Sequence, residues 1–398
     1  MRILLAANAS YEPPRGGSTR SNLAWLRQLA ARGHACRVVS LEEGAEASTV
    51  AVDGVVIQRV PQLARQASAL RAAIAEWQPD WVLISSEDLT HRLLREASAA
   101  APSRVIYLAH TPQFFPFGPE SWHRDPSAAE LLRRARAVIT ISQSVDAYVR
   151  AHLGVETTVL HPPVYGPEPY ANLSCFERRT PLLINPCAVK GLPIFLELAR
   201  RLPAVRFLAL AGWGTGRRDR EQLAALPNVE LIEPVPQIEE ALARASLVLM
   251  PSLWMEGFGL AATEAMLRGL PVLAADYGGL REALDGTGGL LPVAPITGYE
   301  AEFDDRLLPR AIVPPQDCGP WERALRELLE DPDRYERAAA ACRECALQTV
   351  RRVSPEGLEG VLRALPPVDP LAEARQRLLA RRIAERRQRF PGSAEGRG

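Results

Sequence analysis

The chain is 398 residues long, 47% hydrophobic and 24% charged, with 47 acidic and 47 basic side chains. That length suits two ordinary domains, each with room for its own core, and the balanced charge removes any global field that would recruit nucleic acid or an anionic membrane. The opening Met1–Ala7 run is too short for a signal peptide, no apolar stretch reaches membrane-spanning length, and six scattered cysteines fit a reducing cytoplasm better than a disulfide framework.

The pattern predicts a strand over 2–7, a loop through Pro13, Pro14, Arg15, Gly16 and Gly17, a helix over 18–31 closed by Gly33, and a strand over 35–39. Strands follow at 55–60, 81–85, 104–109 and 137–141, between helices at 62–76, 88–100, 127–135 and 143–151. Short unbroken apolar strands alternating with helices indicate a parallel sheet covered on both faces. His161 to Pro167 is Pro-rich and aperiodic, and reads as an interdomain hinge. The alternation then restarts, with strands at 181–185, 205–211, 229–232, 246–250 and 271–275 and helices at 191–201, 217–225, 237–244 and 259–268. Residues 292–320 read as irregular. Helices at 321–330 and 333–350 precede a basic amphipathic helix at about 370–390. The fold class is therefore α/β, with domains at 1–164 and 165–365 and a returning helix and tail at 366–398.

Arginine supplies 46 of the 47 basic residues, so Lys190 is the only lysine. A surface lysine is readily exchanged for arginine, whereas a compact ammonium in a confined site is not, because the planar fork does not fit the same space. Lys190-Gly191 follows a strand and opens a helix.

Between the strand ending at Met250 and the helix opening near Gly259 runs Pro251-Ser252-Leu253-Trp254-Met255-Glu256-Gly257-Phe258-Gly259-Leu260, continuing to Glu264. Glycines there let backbone approach a ligand, and the unpaired amides of a helix start suit a diphosphate. Glu256 precedes the helix, where its carboxylate can bind sugar hydroxyls. Glu264 lies inside it, where it can accept the hydroxyls of a ribose.

Glu256 and Glu264, with seven residues between them and Gly257-Phe258-Gly259 after the first, resemble the E-x7-E motif of family 4 glycosyltransferases. The resemblance extends to Gly16-Gly17, Arg32-Gly33-His34, Lys190-Gly191, Gly212 and Gly278-Gly279-Leu280-Arg281-Glu282, and so covers nearly the whole chain. It implies the GT-B fold: two facing Rossmann-like domains with parallel sheets and a C-terminal helix returning to the first. It also implies a retaining transfer from a nucleotide sugar, most naturally UDP-linked, to a hydroxyl-bearing acceptor, with no metal or other cofactor required. His110, Lys190 and Glu256 are then the catalytic candidates. Gly16, Gly17, Asn185, Lys190, Gly212, Glu256, Gly257, Phe258, Gly259, Leu260 and Glu264 are the donor-binding candidates, with Lys190 and the helix-start amides on the diphosphate. His110, at the carboxyl end of a predicted parallel strand, stands where α/β proteins place ligands. The aromatic stretch after it, with Phe114, Phe115, Phe117 and Trp122, is expected to form an acceptor wall, a core-packing loop being the alternative.

The sequence departs from the family at Asn185, where an arginine is usual, and this puts a larger share of the phosphate charge on Lys190, on the backbone amides or on an arginine from elsewhere. The stretch Asn185–Gly191, Phe115–Pro119 and the 292–320 segment look like a subgroup that modifies polyketide or peptide natural products. A GT-B phosphorylase, a nucleotide-sugar epimerase and a non-catalytic partner protein are the alternative readings. The last is expected to lose Glu256 or Lys190, and both are present.

Three other motifs are set aside. Gly212-Trp213-Gly214-Thr215-Gly216 lacks the sixth-position glycine of a dinucleotide fingerprint. Asp331-Pro332-Asp333 reads as a turn and helix cap rather than a metal motif. Cys342 and Cys345 lack the second pair that a zinc site needs. The partners expected are thus a nucleotide-sugar donor and a small-molecule acceptor, without nucleic acid. For the basic C-terminal helix, packing on the first domain is preferred to membrane docking. No pattern speaks to oligomeric state.

Overall fold

The structure, a computed structural model, describes residues 1–368 except 15, 43, 45, 167, 306, 307 and 355. The helix expected at 370–390 lies outside the described residues. The chain forms two compact units. The first comprises Met1–Ile141, Asp146–Val164 and the segment that follows Ser354, and the second Ser142–Val145 and Tyr165–Ser354.

The first unit alternates β1 (Arg2–Ala7), α1 (Gly17–Ala31), β2 (Ala35–Leu41), β3 (Ser48–Val52), β4 (Val55–Val60), α2 (Leu63–Trp77), β5 (Trp81–Ser85), α3 (Arg92–Ala100), β6 (Val105–Ala109), α4 (Pro126–Arg133), β7 (Ala137–Thr140), α5 (Gln143–Leu153) and β8 (Thr158–Val159). Its eight-stranded sheet runs in the order β3-β4-β2-β1-β5-β6-β7-β8. Every pairing is parallel except β3 with β4. Ile3 to Ala7 are fully buried, as expected of a central parallel strand covered on both faces. The antiparallel β3 was not anticipated, although its signal is present. Asp53 and Gly54, with φ of 48° and 79°, form the two-residue turn that joins hairpin strands when both central residues have positive φ. Helix α3 also begins later than expected, because the Asp88 carboxylate accepts the amides of Arg92 (3.1 Å) and Leu94 (3.0 Å) and so caps it from a loop position.

The second unit contains β9 (Pro181–Ile184), α6 (Leu192–Arg201), β10 (Phe207–Leu210), α7 (Arg217–Ala224), β11 (Val229–Ile232), α8 (Ile238–Leu242), β12 (Leu247–Met250), α9 (Leu260–Leu267), β13 (Val272–Ala275), α10 (Leu280–Ala283) and β14 (Leu290–Leu291). The strands form an all-parallel sheet in the order β11-β10-β9-β12-β13-β14. Strand order therefore reverses between β9 and β12. In open α/β sheets that switch point opens a crevice at the carboxyl ends of the strands, and ligands bind there. The segment expected to be irregular instead holds an antiparallel hairpin, β15 (Gly298–Phe303) with β16 (Pro309–Ile312). Helices α11 (Gly319–Glu330) and α12 (Pro332–Arg351) complete the unit. Asp331 caps α12 by accepting the Arg334 amide at 3.0 Å, in agreement with a turn-and-cap reading of Asp331-Pro332-Asp333.

The chain rejoins the first unit after Ser354 rather than near residue 365. Helix α13 (Gly357–Ala364) docks on α1 through charge: Glu359 accepts from His34 at 2.8 Å and from Arg32 at 3.0 Å. The His34 hydrogen bond, with Arg363 and Arg32 beside it, holds the Glu359 carboxyl down to about 2 against an ordinary 4.5. A depressed carboxylate stabilises the fold above its unfolded pKa and loses that contribution as pH falls toward the folded value. Acid titration is thus expected to release α13 as pH falls from 4.5 toward about 2. The Glu359→Gln variant should show a flatter stability–pH profile across that window, and an unchanged profile would contradict this docking.

Candidate active site

Lys190 leaves the end of β9 in a single helical turn spanning Ala188–Lys190, and Glu256 leaves β12 in the loop before α9. They are brought together at the switch point: Lys190 Nζ lies 2.6 Å from Glu256 Oε1, and Ser252 Oγ donates to the same oxygen at 2.6 Å. The Lys190 ammonium also sits 4.6 Å from the centroid of Trp254, a cation–π contact. The two loops are tied by Leu253 N–H donating to the Val189 carbonyl at 2.9 Å. Burial pushes the Glu256 carboxyl up, but Lys190 and the hydroxyl and indole donors around it outweigh burial and hold it below the ordinary range. Glu256 is therefore ionised at neutral pH and can only accept hydrogen bonds.

Glycines set the shape of this loop. Gly191 has φ of 84°, and a Cβ there would collide with the Pro251 carbonyl. Gly259, the N-cap of α9, has φ of 115°, which only glycine adopts cheaply. The Gly279 amide donates to the Glu256 carbonyl at 2.8 Å, and a Cβ on Gly278 would stand 2.9 Å from the Glu256 backbone. Gly278-Gly279 thus pins the loop that presents Glu256, and the start of α9 supplies the amides at Leu260 and beyond. Glu264 is buried on α9, and Phe258 is buried with it.

Asn185 adopts φ of 59° and is buried. Its Oδ1 accepts the Gly214 amide at 2.8 Å, and a Cβ on Gly212 would reach 2.5 Å from that oxygen. Gly212 is therefore glycine because Asn185 clamps the loop after β10. Asn185 Nδ2 is buried without a hydrogen-bond partner. The same loop holds Trp213, 46% exposed, its ring 5.8 Å from that of Trp254. Lys190, Trp254 and Trp213 thus form a cation–aromatic stack reaching the surface. Ser252 and the two tryptophans were not singled out from the sequence. Trp254 and Ser252 stand inside the Pro251–Leu260 stretch, so proximity to Glu256 was the available signal.

In the first unit His110 directly follows β6 and is 2% exposed. Its Nε2 lies 2.8 Å from Asn22 Oδ1, whose amide in turn donates to Tyr11 and Ser85. An amide oxygen only accepts, so Nε2 carries the proton and the buried Nδ1 keeps an unpartnered lone pair. Burial lowers the His110 pKa, so the ring is neutral at pH 7. Gly16 caps α1 with φ of 93°, and Gly17 is the helix's first residue. The expected acceptor wall requires correction. Phe115 and Phe117 are buried against each other, Tyr107 and Tyr148. They belong to the core and cannot touch an acceptor. Phe114 and Trp122, partly exposed with centroids 5.0 Å apart, remain at the surface.

Two family models match the chain: Glycosyltransferase Family 4 over residues 15–165, and Glycosyl transferases group 1 over residues 183–331. The chain belongs to the family 4 glycosyltransferases. Similar curated proteins include the D-inositol 3-phosphate glycosyltransferases of Mycobacterium sp. (strain JLS), 34% identical over 197 residues, and of Nocardia farcinica, 36% identical over 154 residues. Those matches cover 47% and 35% of this chain, and only 40% and 29% of the relatives' own lengths. Among solved structures, a sucrose-phosphate synthase from Thermosynechococcus elongatus has a TM-score of 0.68 at 18% identity, covering 97% of this chain and 100% of that one. Anabaena HepE in complex with UDP and glucose has a TM-score of 0.66 at 18% identity, covering 92% of this chain and 100% of that one. At such identities the likeness speaks to fold, and the fold is GT-B.

The surroundings of Lys190 account for a lysine rather than an arginine at this one position of an otherwise arginine-rich chain. An ammonium held between a carboxylate and an indole face has room for one small charge, and a guanidinium would displace Trp254 or Glu256. Lys190→Arg is expected to cut turnover by about 10²-fold through misplacement of the charge. Full turnover in that variant would contradict the fit.

Proposed function

We propose that the chain is a retaining glycosyltransferase that moves a hexose from a UDP-linked donor to a hydroxyl of a small-molecule acceptor. The observation that carries this reading is the Lys190–Glu256 pair at the β9/β12 switch point, beneath the glycine-bounded start of α9. Anabaena HepE, which shares the fold, is described with UDP and glucose bound, and this favours a uridine donor.

Each residue has a distinct task in this reading. Lys190, whose ammonium has three donors, keeps one on Glu256 and turns the others to the diphosphate. The amides at Gly257 to Leu260 share that charge. Glu256 holds the sugar hydroxyls, Glu264 holds the ribose, and Gly212 and Asn185 shape the wall beside the nucleotide. The family resemblance assigns Gly16 and Gly17 a role toward the donor phosphates and His110, whose neutral ring is held by Asn22, a role toward the sugar. In the chemical step the bond from the anomeric carbon to the diphosphate breaks as the acceptor oxygen bonds to the same face, and the leaving phosphate oxygen takes the acceptor's proton. No protein nucleophile and no metal are required.

The relatives' name makes an inositol phosphate the first acceptor to test, ahead of the polyketide or peptide product suggested by the sequence pattern. The decisive assay incubates the chain with UDP-glucose and inositol phosphates and reads the anomeric configuration of the product by NMR. An α-linked product supports the proposal. A β-linked product would overturn retention, and a sugar phosphate or epimer formed without acceptor would replace transfer by phosphorolysis or epimerisation.

A further inference from the structure

His91, His123 and Asp125 form a cluster in the first unit that has no part in the reading above. His91 precedes α3, adopts φ of 53° and is 2% exposed. Its Nε2 lies 3.3 Å from the Phe114 carbonyl oxygen. A carbonyl only accepts, so Nε2 carries the proton and Nδ1 keeps its lone pair. That Nδ1 is buried without a hydrogen-bond partner, and it faces Asp125 Oδ2 across 3.5 Å. A lone pair aimed at a carboxylate oxygen is repulsive unless a proton or a metal cation stands between them. The exposed His123 ring stacks on His91, with centroids 5.8 Å apart and planes 15° apart, and the ligating atoms of all three residues lie within 4.8 Å of one another.

We propose that His91, His123 and Asp125 bind a divalent transition-metal ion, with zinc as the expected occupant. Two imidazoles and a carboxylate are a ligand set that zinc accepts, with a fourth position for water. The hydrogen bond from His91 Nε2 to a backbone carbonyl is the outer contact that orients metal-bound histidines. Zinc bonds of about 2.0–2.2 Å require the ligating atoms to draw closer than they stand, and His123 is exposed and free to turn inward. The carboxylate can serve both roles. Oδ1 caps α4, accepting from the Ser127 and Ala128 amides at 3.1 Å and the Ser127 hydroxyl at 2.8 Å. Oδ2 accepts from Arg95 and has a second lone pair to offer.

Such an ion would fasten the loop before α3 to both ends of the Phe114–Asp125 stretch. Within that stretch Trp122 and Asp125 donate their amides to the Gln113 and Pro116 carbonyls at 2.9 Å each. Ser121 Oγ donates to the Phe115 carbonyl at 2.5 Å, and the Glu120 amide donates to the Tyr148 hydroxyl at 2.9 Å. The ion would add a link from this stretch to the loop before α3. The metal's role is to order the loop carrying Phe114 and Trp122. It takes no part in the transfer, and its test does not depend on that assignment.

The full chain, stripped with a chelator and dialysed, would be titrated calorimetrically with zinc sulfate, with cobalt absorption as a readout of geometry. One zinc per chain is expected, raising the thermal unfolding temperature. His123→Ala, at an exposed position that costs little in folding, should weaken zinc binding at least about tenfold and abolish the zinc-dependent shift. Cys345→Ser should change neither. Absence of stoichiometric binding would overturn the proposal, as would equal affinity in wild type and His123→Ala, which would put the ion elsewhere.

Discussion

Replacing Lys190 by alanine is expected to lower turnover by about 10²–10³-fold, the usual effect of losing one preorganised charge that stabilises a leaving group. The same change is expected to destabilise the second unit by about 3–5 kcal/mol, because it leaves a buried carboxylate without its partner. Glu256 is 11% exposed at its side chain and keeps only Ser252 and the Trp254 indole against its charge. The two effects can be separated. Lys190→Ala with Glu256→Gln removes the orphaned charge, so stability should recover while turnover stays low. Turnover follows by donor consumption and stability by urea unfolding. A single variant that loses stability but keeps turnover would make the pair a structural brace and remove Lys190 from the chemistry.

The second large effect is expected at Gly191. Alanine there meets two penalties: a left-handed backbone, at φ of 84°, and a Cβ driven into the Pro251 carbonyl. Strain of about 1–3 kcal/mol combines with overpacking of about 1–3 kcal/mol against backbone that cannot yield. Gly33 is the control, since it has φ of 83° and open space around the missing Cβ. Gly33→Ala should therefore cost only the conformational part. Denaturant midpoints for the two variants decide the matter. Equal shifts would mean that the loop after β12 moves aside, and the close approach would lose its importance. Because Lys190 is the neighbour of Gly191, the larger loss should come with reduced turnover.

The alternation of strands and helices was legible because buried parallel strands such as Ile3–Ala7 and Leu247–Met250 are unbroken apolar runs bounded by loop residues. The loop proposed to hold the donor was legible for a different reason. Gly257, Gly259 and two glutamates at fixed spacing sit on one strand–loop–helix element, where spacing in sequence determines spacing in space. The 2.6 Å contact of Lys190 with Glu256 crosses 66 positions, and only the strand order β9-β12 creates it. The aromatic stretch misled because Phe114, Phe115, Phe117 and Trp122 follow no period. Which of them face inward depends on Tyr107 and Tyr148, from β6 and α5. The β15–β16 hairpin escaped notice because Pro309 stands in its second strand, a residue that argues for loop unless the strand is an edge. Asn185, a donor-binding candidate where the family usually has an arginine, also has a structural task that spacing could not reveal, since its left-handed backbone and its bond to Gly214 clamp the neighbouring loop.

In the proposed function the second unit holds a nucleotide sugar on Lys190 and Glu256. Calorimetric titration of the wild-type chain with UDP-, GDP- and ADP-glucose tests it most directly. UDP-glucose is expected to bind with Kd between about 1 μM and 1 mM, or roughly −8 to −4 kcal/mol, and to bind at least about tenfold more weakly to Glu256→Gln. If none of the three nucleotide sugars binds in that range, or if Glu256→Gln binds UDP-glucose as tightly as the wild type, the assignment of the donor site is wrong.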